Sequence, residues 1–314
     1  MFGTDSFDFS EASPFLLLAV HANSVIDGDT LRVEIIEPKQ WENSLGHARR
    51  SQHGEVWVRL LGLDAPETHF PGSPNFLRHQ PASHGLYATA CLNQALGIAA
   101  SLDDGAVQLF PAHPSRRHNK LQPLAYLLAE HQGVDRFGRL LAFVWKIHAD
   151  LQEHVQNFNF LPLSFFTSSF QLESSVNFFL LADGAAYPDF HCNLGQNRIA
   201  RLRSGVKHAQ TRCLGIWYAD QTRRGIFLSQ ASRLAHDTLI LPRLYRRIAA
   251  FLQESPSHEL TESTLRVGFR NFLGEKDQSV QVHLQNSAVL LSELLTWDAT
   301  RLGVHAALED LEWH

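Results

Sequence analysis

The chain has 314 residues, 44% of them apolar and 19% charged, enough for one large or two modest domains with real cores. A formal charge of -5 weighs against a surface that is basic throughout. No window reaches the ~18 uninterrupted apolar residues of a membrane span, and Met1–Leu31 carries acids but no Lys or Arg, unlike a secretory leader. Three cysteines, Cys91, Cys192 and Cys213, show neither CxxC nor metal-ligand spacing, so reduced thiols and a cytoplasmic setting are expected. The 18 histidines fall into no HExxH-like constellation, so no zinc centre is expected.

Met1–Ser13 is acidic and aperiodic and reads as a tail. Strands are expected at Phe15–His21 and Asp29–Ile36, joined by the carboxylate pair Asp27 and Asp29 around Gly28. Period-2 parity puts Asp29 on the side of Leu31, Val33 and Ile35, at the mouth of the core those residues fill. Pro38–Gly54 is a polar loop holding Arg49, Arg50 and His53. A strand at Glu55–Leu63 then carries one arginine, Arg59, among Val58, Leu60 and Leu61, where an unpaired charge out of water would be costly. It ends in Asp64, Ala65, Pro66 and Glu67, because proline lacks the N–H a ladder requires.

Thr68–Ser83 is a long loop, and His84–Leu96 has helical spacing. Val107–Phe110 and Leu124–Ala129 read as a hairpin around the basic turn Ser115–Lys120. Asp135–Arg139 (DRFGR) is a tight turn leading into a strand that ends at Trp145, and Arg139 shares parity with Leu141 and Phe143. Two arginines in apolar strands point to one shared anion, since guanidinium forks bind phosphate oxygens in pairs; each taken alone reads as a structural ion pair. Asp29 and Asp64, with a carbonyl and waters, make a hard oxygen set suited to calcium or magnesium. DGD alone is a common turn sequence, more often a turn than a metal site, and Asp before a turn with Glu at a helix start is ordinary capping chemistry.

Together IDGDT, VRLLGLDAPE and DRFGRLLAFVW resemble, in order and strand context, the three signature segments of the staphylococcal nuclease family. The resemblance runs from about Phe15 to Trp217 and implies an α+β fold over residues 14–220, a five-stranded OB-fold β-barrel with packed helices. It also implies a Ca2+-dependent endonuclease that hydrolyses DNA and RNA to leave 3'-phosphate ends, with single-stranded or frayed substrates preferred. Carried over residue by residue, Asp29, Asp64 and the carbonyl of Ala65 hold the metal, Glu67 activates or orients water, Arg59 and Arg139 stabilise the transition state, and Asp27 sits behind them. Arg136, Phe137 and Phe190 are the substrate contacts. The family usually has threonine at Ala65 and tyrosine at Phe137, and its base-stacking tyrosines fall near Phe190 and Cys192, which implies an altered substrate cradle. The alternative is a catalytically weak or inactive module of the same family that binds nucleic acid or a protein.

His148–Glu173 is an aromatic-rich insertion that could cover the barrel or meet a protein partner. Helices are expected at Ser175–Ala182 and Leu194–Thr211, and the basic run from Arg198 to Arg224 reads equally as a binding stripe or a solvated face. Residues 221–314 are expected to form a small, mostly helical accessory domain of unknown function. Within it Ala231–Gln253 is helical with Pro242 as kink or restart and a basic cluster of Arg243, Arg246 and Arg247. Glu254–Thr261 is linker-like, Leu265–Leu284 gives two strands, and Ser287–Trp297 and Ala299–Leu311 are helical.

Overall fold

The structure is a computed structural model that describes residues 15–21, 24–36, 45–70, 77–98, 100–103, 106–109, 123–149, 152–153, 155, 171–254, 261–276, 279–282, 287–298 and 301–313. The tail Met1–Ser13, the turn Ser115–Lys120 and most of the His148–Glu173 insertion lie outside these residues. The chain divides into two compact units, Met1–Leu61 with Thr89–Leu180, and Gly62–Ala88 with Leu181–His314.

The first unit is built on β1 (Phe15–Val20), β2 (Val25–Asp27), β3 (Thr30–Ile35) and β4 (Val56–Leu60). After a break at Leu61 the chain forms β5 (Gly62–Asp64) and α1 (Ala82–Leu96), which carry it through the second unit and back. The hairpin β6 (Ala100–Asp103) and β7 (Ala106–Leu109) follows, then β8 (Ala125–Val134), β9 (Leu140–Lys146) and α2 (Val176–Ala182). Strand order is β1-β8-β9-β4-β3-β2, and a further β1–β3 pairing closes the sheet into a five-stranded, OB-like barrel with β2 at its edge. The β4–β9 pair is parallel, with Arg59 opposite Leu141. Burial alternates along β4: Val56, Val58 and Leu60 face the core, whereas Trp57 and Arg59 lie on the half-exposed side. Arg59 is thus less of a misfit than its neighbours in sequence suggest.

The second unit contains a five-stranded sheet of order β12-β11-β15-β10-β5. Its further elements are β10 (Tyr187–His191), α3 (Gln196–Thr211), α4 (Pro242–Glu254), α5 (Glu262–Lys276), β11 (Ser279–Val282), β12 (Ser287–Leu290), α6 (Leu291–Leu294), β13 (Leu295–Asp298), β14 (Arg301–Val304) and β15 (Leu311–Trp313). One apolar cluster joins Leu77, Tyr187 and Ile216 to Leu241, Tyr245, Phe269, Leu273 and Trp313. Pro242 opens α4, at the position where a missing N–H and a fixed φ cost least.

Several expectations change. Residues 221–314 are not a separate unit, because they share a sheet and a core with Gly62–Ala88 and Leu181–Asp220. Leu265–Leu284 begins as helix α5, whose buried Leu265, Phe269, Phe272 and Leu273 recur at i, i+4, i+7 and i+8. Ser287–Trp297 and Ala299–Leu311 hold β12, β13 and β14 rather than long helices. β7 pairs with β6, and β8 with β1 and β9, so the hairpin expected from Val107 to Ala129 does not form. The strand expected at Glu55–Leu63 is two strands in two sheets. Gly62 adopts φ +78, and a Cβ there would come within 2.8 Å of Leu202 Cδ1, so the break requires glycine. Leu61 is finished inside the barrel, where its N–H donates to Ala142 O at 3.0 Å and its carbonyl accepts from Asn177 Nδ2 at 2.9 Å.

Candidate active site

In the barrel, the β2–β3 turn brings two carboxylates together. The Asp29 N–H donates to Asp27 Oδ1 at 3.3 Å, and Thr30 Oγ1 donates to Asp29 Oδ1 at 3.0 Å. The β3–β4 register sets Thr30 opposite Arg59, whose guanidinium pairs with Asp29. Asp29 is almost fully buried, as its parity with Leu31, Val33 and Ile35 requires. The Asp27 carboxyl is pushed up to about 8, first by desolvation and then by the charge of Asp29, with Arg59 opposing.

Arg139 reaches the same place from the next hairpin. Its Nη1 donates to Thr30 Oγ1 at 3.3 Å, while its Nε donates to Asp135 Oδ2 at 2.8 Å. Asp135 also accepts the N–H groups of Phe137 and Arg139 at 2.8 and 2.9 Å, which fixes the DRFGR turn. Phe137 is 58% exposed, with the Arg136 and Arg139 guanidinium carbons 4.8 and 5.4 Å from its ring centre. Beside the turn, the Arg49 N–H donates to Gly138 O at 2.7 Å and the Arg49 guanidinium lies 4.6 Å from the Trp57 ring. A Cβ on Gly138 would approach Arg49 Cβ to 2.8 Å, so that close packing also needs glycine. The barrel therefore assembles Asp27, Asp29, Arg59, Arg136, Phe137 and Arg139 around Thr30 and Asp135. The last two, with Arg49 and Trp57, are participants that the sequence reading did not single out or mentioned only as loop residues.

In the second unit β5 pairs with β10, Tyr187 facing Asp64. Asp64 and Ala65 are buried, at 1% and 4% exposure. The loop that follows is tied to itself through Gln80: the Glu67 N–H donates to Gln80 Oε1 at 3.0 Å and the Gln80 N–H to Glu67 O at 2.8 Å. A side chain from α4 then joins the two acids. Arg246 Nη2 and Nη1 donate to Asp64 Oδ2 and Oδ1 at 2.7 and 3.2 Å, and Nη1 also pairs with Glu67. The carboxylates beside Arg246 hold its guanidinium firmly protonated although burial opposes it. Sequence offered Arg246 only as part of a basic cluster, and nothing local tied it to Asp64, 182 residues away. Its neighbour Arg243 goes elsewhere, donating to Asp189 Oδ1 at 2.7 Å with its guanidinium carbon 4.0 Å from the Trp313 ring centre.

Phe190 does not serve as a substrate contact. It is fully buried in β10, which lies between β15 and β5, so a base has no access to its ring. The basic run from Arg198 is not one stripe either: Arg203 is buried, donating to Glu309 O at 2.9 Å and pairing with Asp310 at 3.2 Å.

The oxygen donors divide the same way. In the barrel, Asp29, with Asp27 beside it, already pairs with the Arg59 guanidinium. In the second unit the cation on Asp64 and Glu67 is a guanidinium. Among the described residues no group of three or more His, Cys, Asp and Glu side chains is arranged to hold a metal ion. None of the described helices is long and apolar enough to cross a membrane. No protein-family model matches the chain, and no curated protein matches it.

Proposed function

We propose that the protein is a Ca2+-dependent phosphodiesterase of the staphylococcal nuclease kind, cutting DNA and RNA endonucleolytically to leave 3'-phosphate ends. The observation that carries this reading is the barrel constellation, in which the expected metal ligand Asp29 pairs directly with the expected phosphate-gripping Arg59 and is joined to the second such residue, Arg139, through the Thr30 hydroxyl. Separate structural ion pairs would not require that convergence.

By the resemblance Asp29, Asp64 and the Ala65 carbonyl would hold the ion, which would supply charge neutralisation at the phosphoryl group. Glu67 accepts the proton of the attacking water. Arg59 and Arg139 donate to the phosphoryl oxygens, whose charge grows in the transition state; losing one such donor typically slows catalysis about 100-fold or more. Phe137 stacks on a base, and Arg136 meets the backbone, so unstacked single strands are the favoured substrate.

A second reading, a non-catalytic nucleic-acid-binding barrel, draws on one specific observation: Arg246 already engages both Asp64 and Glu67. Digestion of plasmid and single-stranded DNA with Ca2+, Mg2+ or EDTA separates the two. The expected result is cutting in Ca2+, none in EDTA, and a loss of roughly 100-fold in Glu67→Ser. Equal cutting by Glu67→Ser would remove that residue's role. A wild-type protein that binds single strands but cuts under no condition would leave the second reading standing.

A further inference from the structure

Arg246 belongs to none of the roles above, yet its placement is tightly specified. The turn before α4 is pinned by Leu241 N–H donating to Thr222 Oγ1 at 2.8 Å and by Gln80 Nε2 donating to Ile240 O at 2.6 Å. In α4 itself, Tyr245 Oη donates to Leu77 O at 2.5 Å. Gln80 is the residue that also fixes the Glu67 backbone from both sides. One side chain thus registers the helix against the loop, and the helix delivers a guanidinium to the loop's two acids. Thr222 is in turn held by Asp220, which accepts from Thr222 Oγ1 at 2.5 Å and from Tyr187 Oη at 2.8 Å on β10, the strand that pairs with β5.

Both Asp64 oxygens accept N–H donors from this one guanidinium. A divalent ion bound to either oxygen at about 2.3–2.6 Å would lie within about 5 Å of that positive charge. Like charges at such spacing oppose each other strongly in a buried setting.

We propose that Arg246 is a resident cation that sets the metal affinity of the Asp64–Glu67 pair, so that a divalent ion binds Asp64 only by displacing the guanidinium. The inference rests on the reading of Asp64 as a metal ligand. Glu67 is held by the same guanidinium, so release of Arg246 also frees the proposed water-activating carboxylate, and metal loading and base availability become one event.

Calorimetric titration of CaCl2 into the full chain tests this with wild type, Arg246→Gln and Asp64→Asn/Arg246→Gln. The expected result is that Arg246→Gln binds Ca2+ roughly tenfold or more tighter than wild type, with the gain lost in the double variant. Thermal unfolding with increasing Ca2+ covers the case in which Arg246→Gln is poorly folded without ligand. There Ca2+ should raise the unfolding temperature of Arg246→Gln more than that of wild type, and failure to do so overturns the proposal. Equal or weaker binding by Arg246→Gln overturns it while leaving the calcium reading intact. Absence of Ca2+ binding in every variant brings down both.

Discussion

Two carboxylate–guanidinium constellations, one in each unit, hold acids that the signature segments mark, and they were built in different ways. In the barrel, Asp29 meets Arg59 because adjacent strands in register bring them together, and Arg139 arrives from a neighbouring hairpin. In the second unit, Asp64 and Glu67 are met by a helix from the far end of the chain. Cross-strand neighbours are written in local sequence, whereas a partner 182 residues away depends on the whole core of the unit. The first kind keeps some of its partners when one is removed. In the second, one guanidinium bridges both acids.

The largest effect should therefore come from Arg246→Ala. It leaves Asp64 buried without its two guanidinium donors, and breaking a buried pair from one side costs about 3–5 kcal/mol. Urea unfolding of Arg246→Ala against Asp64→Asn/Arg246→Ala should show the double variant recovering part of that loss. No recovery would mean the helix packs by other means.

Arg59→Ala should cost less, about 1–3 kcal/mol, because Asp29 keeps the Thr30 hydroxyl and its place at the barrel mouth. A loss equal to that of Arg246→Ala in the same unfolding series would erase the contrast between local and remote supply.

A separate, pH-dependent effect concerns Asp27, whose carboxyl is pushed up in the folded state to about 8 from an ordinary value of 3.8. Between those values the folded chain holds a proton that the unfolded chain has released, so without metal this group's contribution to stability falls as pH rises from about 4 to about 8 and is level above. Asp27→Asn should flatten that part of the profile, measured by unfolding in EDTA across the range. An unchanged slope would assign the decline to other groups.

The barrel side of the candidate site was largely legible. Asp27, Asp29, Arg59, Phe137 and Arg139 stand in short motifs whose geometry is set by a turn and by strand parity, and both act over a few residues. Phe190 was misread because an aromatic in a strand looks the same from sequence whether its sheet has one neighbour or two, and β15, which flanks β10, comes from the last residues described. The C-terminal strands were missed for a related reason. β11, β12, β13 and β14 are each four residues long, too short for alternation to stand out against helical spacing. The break at Gly62 was visible only as a glycine inside an apolar run, a pattern that permits a bulge as readily as a change of sheet.

The position of β15 in the order β12-β11-β15-β10-β5 has a bearing on how the molecule is made. Residues 311–313 form an interior strand, parallel to β10 on one side and antiparallel to β11 on the other. A ribosome delivers Asp64 and Glu67 first, then Arg246, and after them the strand that joins β10 to β11. Until that strand has emerged, the nascent second unit exposes the edges of β10 and β11, so chaperone contact should persist until β15 is free to pair.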